Sequence, residues 1–334
     1  MIPFEVASAW GWSTDQLAPL PGGLINTTYA VREAGRPIAV LQRLHHIFGS
    51  DVNLDLDAVT THLAACGMVT PRLIRTLDHR PSLEHEGVWR ATSWVEGVAV
   101  AAVPDPSWAE AGGELVGRFH RAVANLTYEY RFTRAGVHDT ARHLFRLREL
   151  ATGEGDPSWS RLAHEILTVA DALPPLGDQP LRHVHGDLKI SNLLFQIDPV
   201  RGAALVDLDT LARGTLAFEL GDAMRSWCNP HGEDAGHVKF ELANFAAAIT
   251  GFRRIADPVV SEAERASIAV GLETVCVELA ARFCIDVYED RYFGWDPQRF
   301  ASRREHNLIR ARGQLALALD VRGQREAMRD VLLG

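Results

Sequence analysis

Apolar and polar positions change their period once along the chain. Over residues 1–97 the period is mostly two: Tyr29 and Val31 alternate with polar neighbours, and further strands are predicted over 38–44, 72–77 and 88–95. A helix interrupts them over 54–66, where Leu56, Val59 and Leu63 share one face and Gly67, with Pro71 beyond it, ends the run. Residues 1–12 read as a short helical lead-in. After Pro104 and Pro106 the period becomes helical. Leu115, Phe119, Val123 and Leu126 fall on one face behind Ser107-x-x-Glu110, a capping-box pattern. Helices are predicted over 139–150 and 158–173, stopping at Pro174-Pro175, and the chain is mostly helical again from Leu216. Ser261-x-x-Glu264 opens a long helix carrying Ile268, Leu272, Val275, Leu279 and Phe283, and Ser302-x-x-Glu305 opens a last one reaching about Asp320. Strands followed by helices predict an α+β fold, with a sheet-bearing part at 1–97 and a mainly helical part at 98–334.

The helical part has one exception. Residues 183–195 read H-V-H-G-D-L-K-I-S-N-L-L-F, and 204–210 read A-L-V-D-L-D-T. The pattern is a short strand at 181–184, a loop at 186–192 and a hairpin of 193–195 with 203–206, which returns Asp207 to the mouth of the loop. Four residues separate Asp187 from Asn192, and His185 and Gly186 precede them. Phosphoryl transfer to a hydroxyl uses this spacing for a physical reason: one carboxylate receives the hydroxyl proton while a neutral oxygen donor holds magnesium beside the phosphates. Asp207 then supplies the charged magnesium ligand. Lys189 either stabilises charge on the transferring group or is simply exposed. Asp209 alternates with Asp207, so both can point the same way; it is a substrate contact, a supporting acid or a surface residue.

These segments resemble the aminoglycoside phosphotransferase and choline kinase superfamily, relatives of protein kinases that act on small molecules. V-D-L-D-T, G-D-A-M-R and D-R-Y-F look most like its N-acetylhexosamine 1-kinase branch. The resemblance implies a bilobal protein-kinase-like fold, an antiparallel-sheet N-lobe and a mainly helical C-lobe, with ATP and Mg2+ in the cleft. It implies phosphorylation of a sugar hydroxyl, the anomeric one of an N-acetylhexosamine or related hexose. Gly22 and Gly23, before the first alternating strand, become the phosphate loop, where missing Cβ atoms let main-chain N–H groups reach phosphate oxygens. Asn26 matches a polar position common in the superfamily. The third strand, I-A-V-L-Q-R-L, lacks the expected lysine; Gln42 and Arg43 sit near its place on opposite faces, and charge favours Arg43. Asp55 or Asp57 on the following helix is the acid that could pair with it. The main chain at Ser93–Val95, ahead of Glu96-Gly97, is the adenine hinge. A brace for the catalytic loop falls to Glu219 or Asp222. Arg282 and Tyr292 are candidate sugar contacts, through a planar fork of donors and an aromatic face, unless Arg282 pairs with Asp286 instead. Leu24 stands where relatives have histidine. The rival acceptors are an aminoglycoside or an amino alcohol, and an acid-rich cleft favours them; a nucleotide-binding protein without turnover is the rival from another class.

Composition narrows the partners. The chain has 334 residues, 47% hydrophobic and 23% charged, enough for one large or two medium cores. A net charge of −9 argues against nucleic acid and anionic membranes as main partners, though not against magnesium-bound ATP. No apolar run approaches the ~20 residues of a membrane span. M-I-P-F-E-V-A-S-A-W lacks the basic segment of a secretory signal, so a cytoplasmic location is expected. Cys66, Cys228, Cys276 and Cys284 form no C-x-x-C pair and read as reduced thiols, and neither His45-His46 nor His183-x-His185 has metal-ligand spacing.

Overall fold

The computed structural model describes residues 2–20, 26–134, 136–153, 156–236 and 238–334. Its first part is a six-stranded antiparallel sheet. A short helix, α1 (Phe4–Ser8), precedes β1 (Leu17–Pro19), β2 (Thr27–Glu33) and β3 (Arg36–Arg43). Helix α2 (Val52–Ala65) follows, then β4 (Leu73–Ile74), β5 (Leu83–Glu84) and β6 (Val88–Ser93). The strand order is β1-β2-β3-β6-β4, with β5 also on β6. The strand predicted over 72–77 shrinks to two residues because Thr76 starts a turn, its amide donating to the Arg80 carbonyl at 3.0 Å. Val6 and Trp10 cover one sheet face, against Val31, Ala39, Leu41, Trp89 and Ala91.

At Val98 the chain leaves the sheet, exchanging two main-chain hydrogen bonds with Phe195, of 2.8 and 2.9 Å. Three helices come next: α3 (Pro106–Val123), α4 (Thr140–Ala151) and α5 (Pro157–Asp171). The catalytic segment supplies β7 (Arg182–Val184), β8 (Leu193–Ile197), β9 (Val200–Leu205) and β10 (Ala212–Gly214), paired as β7–β10 and β8–β9. Strand β10 is three residues long, too short to leave a periodic signal. Helices α6 (Leu216–Trp227), α7 (Leu242–Ala256), α8 (Glu262–Glu289), α9 (Arg303–Gly323) and α10 (Arg325–Leu333) complete the chain.

These helices share one large core, to which the α3 residues Leu115, Val116 and Phe119 and most of α8 contribute. Helix α3 crosses α7 at a distance only glycine allows. A Cβ on Gly113 would lie 2.0 Å from the Ala248 carbonyl oxygen, and one on Gly251 would lie 2.1 Å from that of Glu110. The close crossing keeps α3 seated against β9 and the catalytic hairpin. The capping signals fared unevenly. Ser261 and Glu264 form the reciprocal box at the start of α8, and Ser302 accepts from the Glu305 amide. Ser107 does not cap α3: Asp105 does, accepting from the Ser107 amide at 2.8 Å, because Pro106 suits the first helical position and moves the start forward.

Candidate active site

The loop after β7 is fixed from below by one carboxylate. Glu219, near the start of α6, accepts from the His185 amide at 2.8 Å and the Gly186 amide at 2.9 Å. Burial would raise its pKa, but His120, 3.6 Å away, with His185 and these amides, holds it below the usual value. Of the two brace candidates, Glu219 makes this contact, while Asp222 accepts from Arg225 Nε at 2.9 Å. The His185 ring donates to the Val206 carbonyl at 2.9 Å, and Thr210 Oγ1 donates to the His185 carbonyl at 2.8 Å. Gly186 has φ +80° and backs onto Thr210, where a Cβ would meet the Thr210 carbonyl oxygen at 2.5 Å. The loop therefore has one path past β10, and that path ends at Asp187.

The predicted triad converges. Asn192 Nδ2 donates to the Asp187 carbonyl at 2.8 Å and to its carboxylate at 3.3 Å, so Oδ1 is the atom left to face a cation. The Val206 amide donates to the Asn192 carbonyl at 2.9 Å, which brings Asp207 beside the loop. Lys189 Nζ lies 2.9 Å from Asp187 Oδ2. Burial works against the lysine's charge, but Asp187, Asp207 and Glu233 outweigh it and raise its pKa. Asp207 sits in the left-handed region, φ 62° and ψ 55°, a strained conformation for a non-glycine residue and one common at functional sites. Solvent reaches it from the cleft while protein crowds its other sides. That crowding, then the charges of Asp209 and Asp187, push its pKa to about 6. Lys189 and Arg90 offset part of this repulsion, and a divalent cation would relieve the rest. The donor set fits magnesium. Among the described residues no cluster of three or more His, Cys, Asp or Glu is assembled for a metal, so Asn192 and Asp207 would share the ion with phosphate and water oxygens.

The nucleotide-side expectations need two corrections. Arg43 is exposed on the outer face of the sheet, its guanidinium donating to the Glu86 carbonyl and lying 6.0 Å from the Trp89 ring centroid. Period-2 alternation turns Gln42 inward instead, opposite Thr28 on β2 and Arg90 on β6. Neither α2 acid meets a cation there. Asp57 pairs with Arg75, and Asp55 accepts from Tyr128 Oη and from the Arg131 and Phe132 amides at 2.8–2.9 Å. At the hinge, Ser93 is committed to Arg72: its amide donates to the Arg72 carbonyl and its hydroxyl accepts from the Arg72 amide. Val95, two residues on, is half-buried, and its main-chain groups have no partner among the described residues. Gly22, Gly23 and Leu24 lie outside the described residues.

Asp209 does not face an acceptor. It is 2% exposed and closed in by Arg90, with which it forms an ion pair, and by Asn26 Nδ2, which donates at 2.7 Å. Asn26 Oδ1 in turn accepts from the His45 amide at 2.9 Å. Arg282 and Tyr292 do come together. Arg282 lies 5.8 Å from the Tyr292 ring centroid, and the Tyr292 hydroxyl accepts from Arg134 and, at 3.5 Å, from Arg282. Asp286 is not the Arg282 partner; it accepts from the Tyr292 and Phe293 amides and from Asn307, and so shapes the turn presenting Tyr292. Sequence reasoning missed Arg90 and Arg134. Arg90 had a signal, since a charged residue in the otherwise uncharged V-W-R-A-T-S strand must be either exposed or paired. Arg134 had none.

Known proteins share this fold. The chain is 25% identical over 278 residues to homoserine kinase from Granulibacter bethesdensis, covering 82% of this chain and 79% of that protein. The amicoumacin kinase hAmiN in complex with AMP-PNP, Ca2+ and Ami superposes at a TM-score of 0.65, with 14% identity over 93% of this chain and 91% of that one. An aminoglycoside phosphotransferase from Alicyclobacillus acidocaldarius superposes at 0.61, with 16% identity over 98% and 97%. These structures share the bilobal protein-kinase-like fold, an antiparallel N-terminal sheet followed by a helical region. Residues 16–256 match the model of the phosphotransferase enzyme family. The chain belongs to that family and is a kinase, a phosphotransferase with an alcohol group as acceptor.

Proposed function

We propose that the protein transfers the γ-phosphoryl group of ATP to a hydroxyl of a small sugar, the anomeric hydroxyl of an N-acetylhexosamine or related hexose. The observation that carries the transfer is the convergence on Asp187 of the Lys189 ammonium and the Asn192 amide, above the Glu219 brace. Asp187 orients the acceptor hydroxyl and takes its proton as the oxygen attacks phosphorus. Lys189 lies against Asp187 and offers a cation to the transferring group. Asn192 and Asp207 would hold magnesium, which when bound offsets charge on the phosphates. Val95 offers its free main-chain groups to the adenine ring. On the acceptor side the reading is supported by Tyr292, an exposed residue, with the donors of Arg134 and Arg282 beside it. An aromatic face with planar donors at its edge suits a pyranose.

A second acceptor class has its own support. A hydroxy amino acid is favoured by the relationship to a homoserine kinase and by the Arg134–Arg282 pair, which fits a carboxylate.

Free hexoses, N-acetylhexosamines, homoserine and aminoglycosides, each with magnesium-ATP and read by phosphorus NMR, distinguish the acceptors. A phosphomonoester on an aminoglycoside or on homoserine, and on no sugar, ends the sugar reading. Asp187→Asn is expected to lower kcat at least 100-fold, ~2.7 kcal/mol of barrier. Turnover within tenfold of the native enzyme removes Asp187 as the base.

A further inference from the structure

The sheet has no lysine at the third-strand position from which kinases of this fold tie the nucleotide lobe to an acid on the next helix. The position holds Gln42, and the acids of that helix are engaged elsewhere. A different charged tie is present. Arg90, on β6 beside Gln42, donates through Nε and Nη2 to Gln42 Oε1 at 3.0 and 2.7 Å, and through Nη1 it pairs with Asp209. Gln42 Nε2 donates to Thr28 Oγ1 at 3.3 Å, so the glutamine cannot turn away. Asn26 grips the other Asp209 oxygen. The side chains of Arg90 and Asp209 are 2% and 1% exposed. One member belongs to the sheet, and the other lies two residues after the proposed magnesium ligand.

We propose that Arg90 is a positioning residue that acts through Asp209. Anchored on Gln42, it holds the 207–210 turn, and with it the Asp207 carboxylate, at a fixed place under the nucleotide lobe, in the role the missing lysine and helix acid would share. The inference rests on the phosphotransfer reading above. It assigns Arg90 no contact with substrate, which separates it from a phosphate-binding cation. A buried pair whose every partner is a protein group is suited to holding a loop, and an arginine fork holds a carboxylate and an amide at once where an ammonium would not.

The test measures metal and nucleotide binding apart from turnover. Arg90→Gln leaves a buried carboxylate unpaired, so the main variant is the neutral double substitution Arg90→Gln/Asp209→Asn, with Arg90→Lys as the conservative companion. Mn2+ affinity in the presence of AMP-PNP is read by electron paramagnetic resonance, and AMP-PNP affinity in EDTA by calorimetry. The double variant is expected to bind Mn2+ at least tenfold more weakly and to lose kcat in proportion, while metal-free nucleotide affinity stays within threefold; Arg90→Lys recovers part of the loss. Mn2+ affinity within threefold of the native protein overturns the proposal. So does a loss of metal-free nucleotide affinity as large as that for Mn2+, which would make Arg90 a direct phosphate contact. A native protein that binds no Mn2+–AMP-PNP at all sinks the phosphotransfer reading itself, and this inference with it.

Discussion

Asp207, the proposed magnesium ligand, shows what a cation site costs a protein before the cation arrives. The protein crowding its carboxylate, then its neighbours Asp209 and Asp187, oppose its charge, and its pKa rises to about 6 from the usual 3.8. An acid whose pKa is higher in the folded state stabilises the fold at low pH and loses that contribution as pH climbs through 4 to 6. At neutral pH without metal it is a net burden. Solvent reaching the carboxylate through the cleft screens part of the repulsion, so about 1 kcal/mol is a reasonable scale. Asp207→Asn in EDTA at pH 7.5 is therefore expected to melt ~2–4 °C above the native protein. It should also lose activity and most of the stabilisation that magnesium-ATP gives the native enzyme. A lower melting temperature in EDTA would show that the carboxylate is a structural partner. Asp187, Asn192 and Asp207 were legible in sequence because their chemistry is local: a loop of fixed length and one hairpin bring them together. The pairing of Arg90 with Asp209 was not. The two are 119 residues apart, and which face of β6 looks inward follows from its pairing with β3, set by the sheet as a whole.

Elements carry a second kind of charge. Arg182 on β7, three residues before His185, pairs with Glu264 at the start of α8, and Glu264 also closes the capping box with Ser261. Burial would raise the Glu264 pKa, but Arg182 and Ser261 lower it to about 2 from the usual 4.5. A depressed carboxylate stabilises above the unfolded-state value, and that contribution is lost as pH falls from about 4.5 toward 2. The native protein should lose stability over that window in urea titrations, and Glu264→Gln should be less stable at pH 7 but nearly flat across it. An equally steep decline in the variant would place the acid sensitivity elsewhere. Helix α8 was the most legible element: its cap falls at Ser261 as the sequence has it, and the predicted face from Ile268 to Phe283 is buried. Strands β1, β5 and β10 were the least, because a strand of two or three residues depends on its neighbours for hydrogen bonds and leaves no period of its own.

At the scale of the whole molecule, hydrophobic burial divides into a sheet core around Val31, Leu41 and Trp89 and a much larger helical core. Among the described residues no helix is long and apolar enough to cross a membrane. The change of period near residue 97 was readable because sheets and helices bury residues at different spacings. The allegiance of α2 was not. It follows the sheet in sequence, yet Leu56, Val59 and Leu63 belong to the helical core, and Asp55 ties it to Tyr128 and to the Arg131 and Phe132 amides. Hydrogen exchange checks this: α2 amides should open together with those of α3 rather than with β2 and β3, and Asp55→Ala should reverse the grouping. Exchange of native α2 in step with the sheet would contradict it.

That anchorage bears on how the cleft can breathe. In kinases of this architecture, control is often exerted by swinging the corresponding helix in or out. Here that rod is held to the floor by Asp55 and to the β4 edge of the roof by Asp57 and Arg75, so any swing would first have to break the Asp55 bonds.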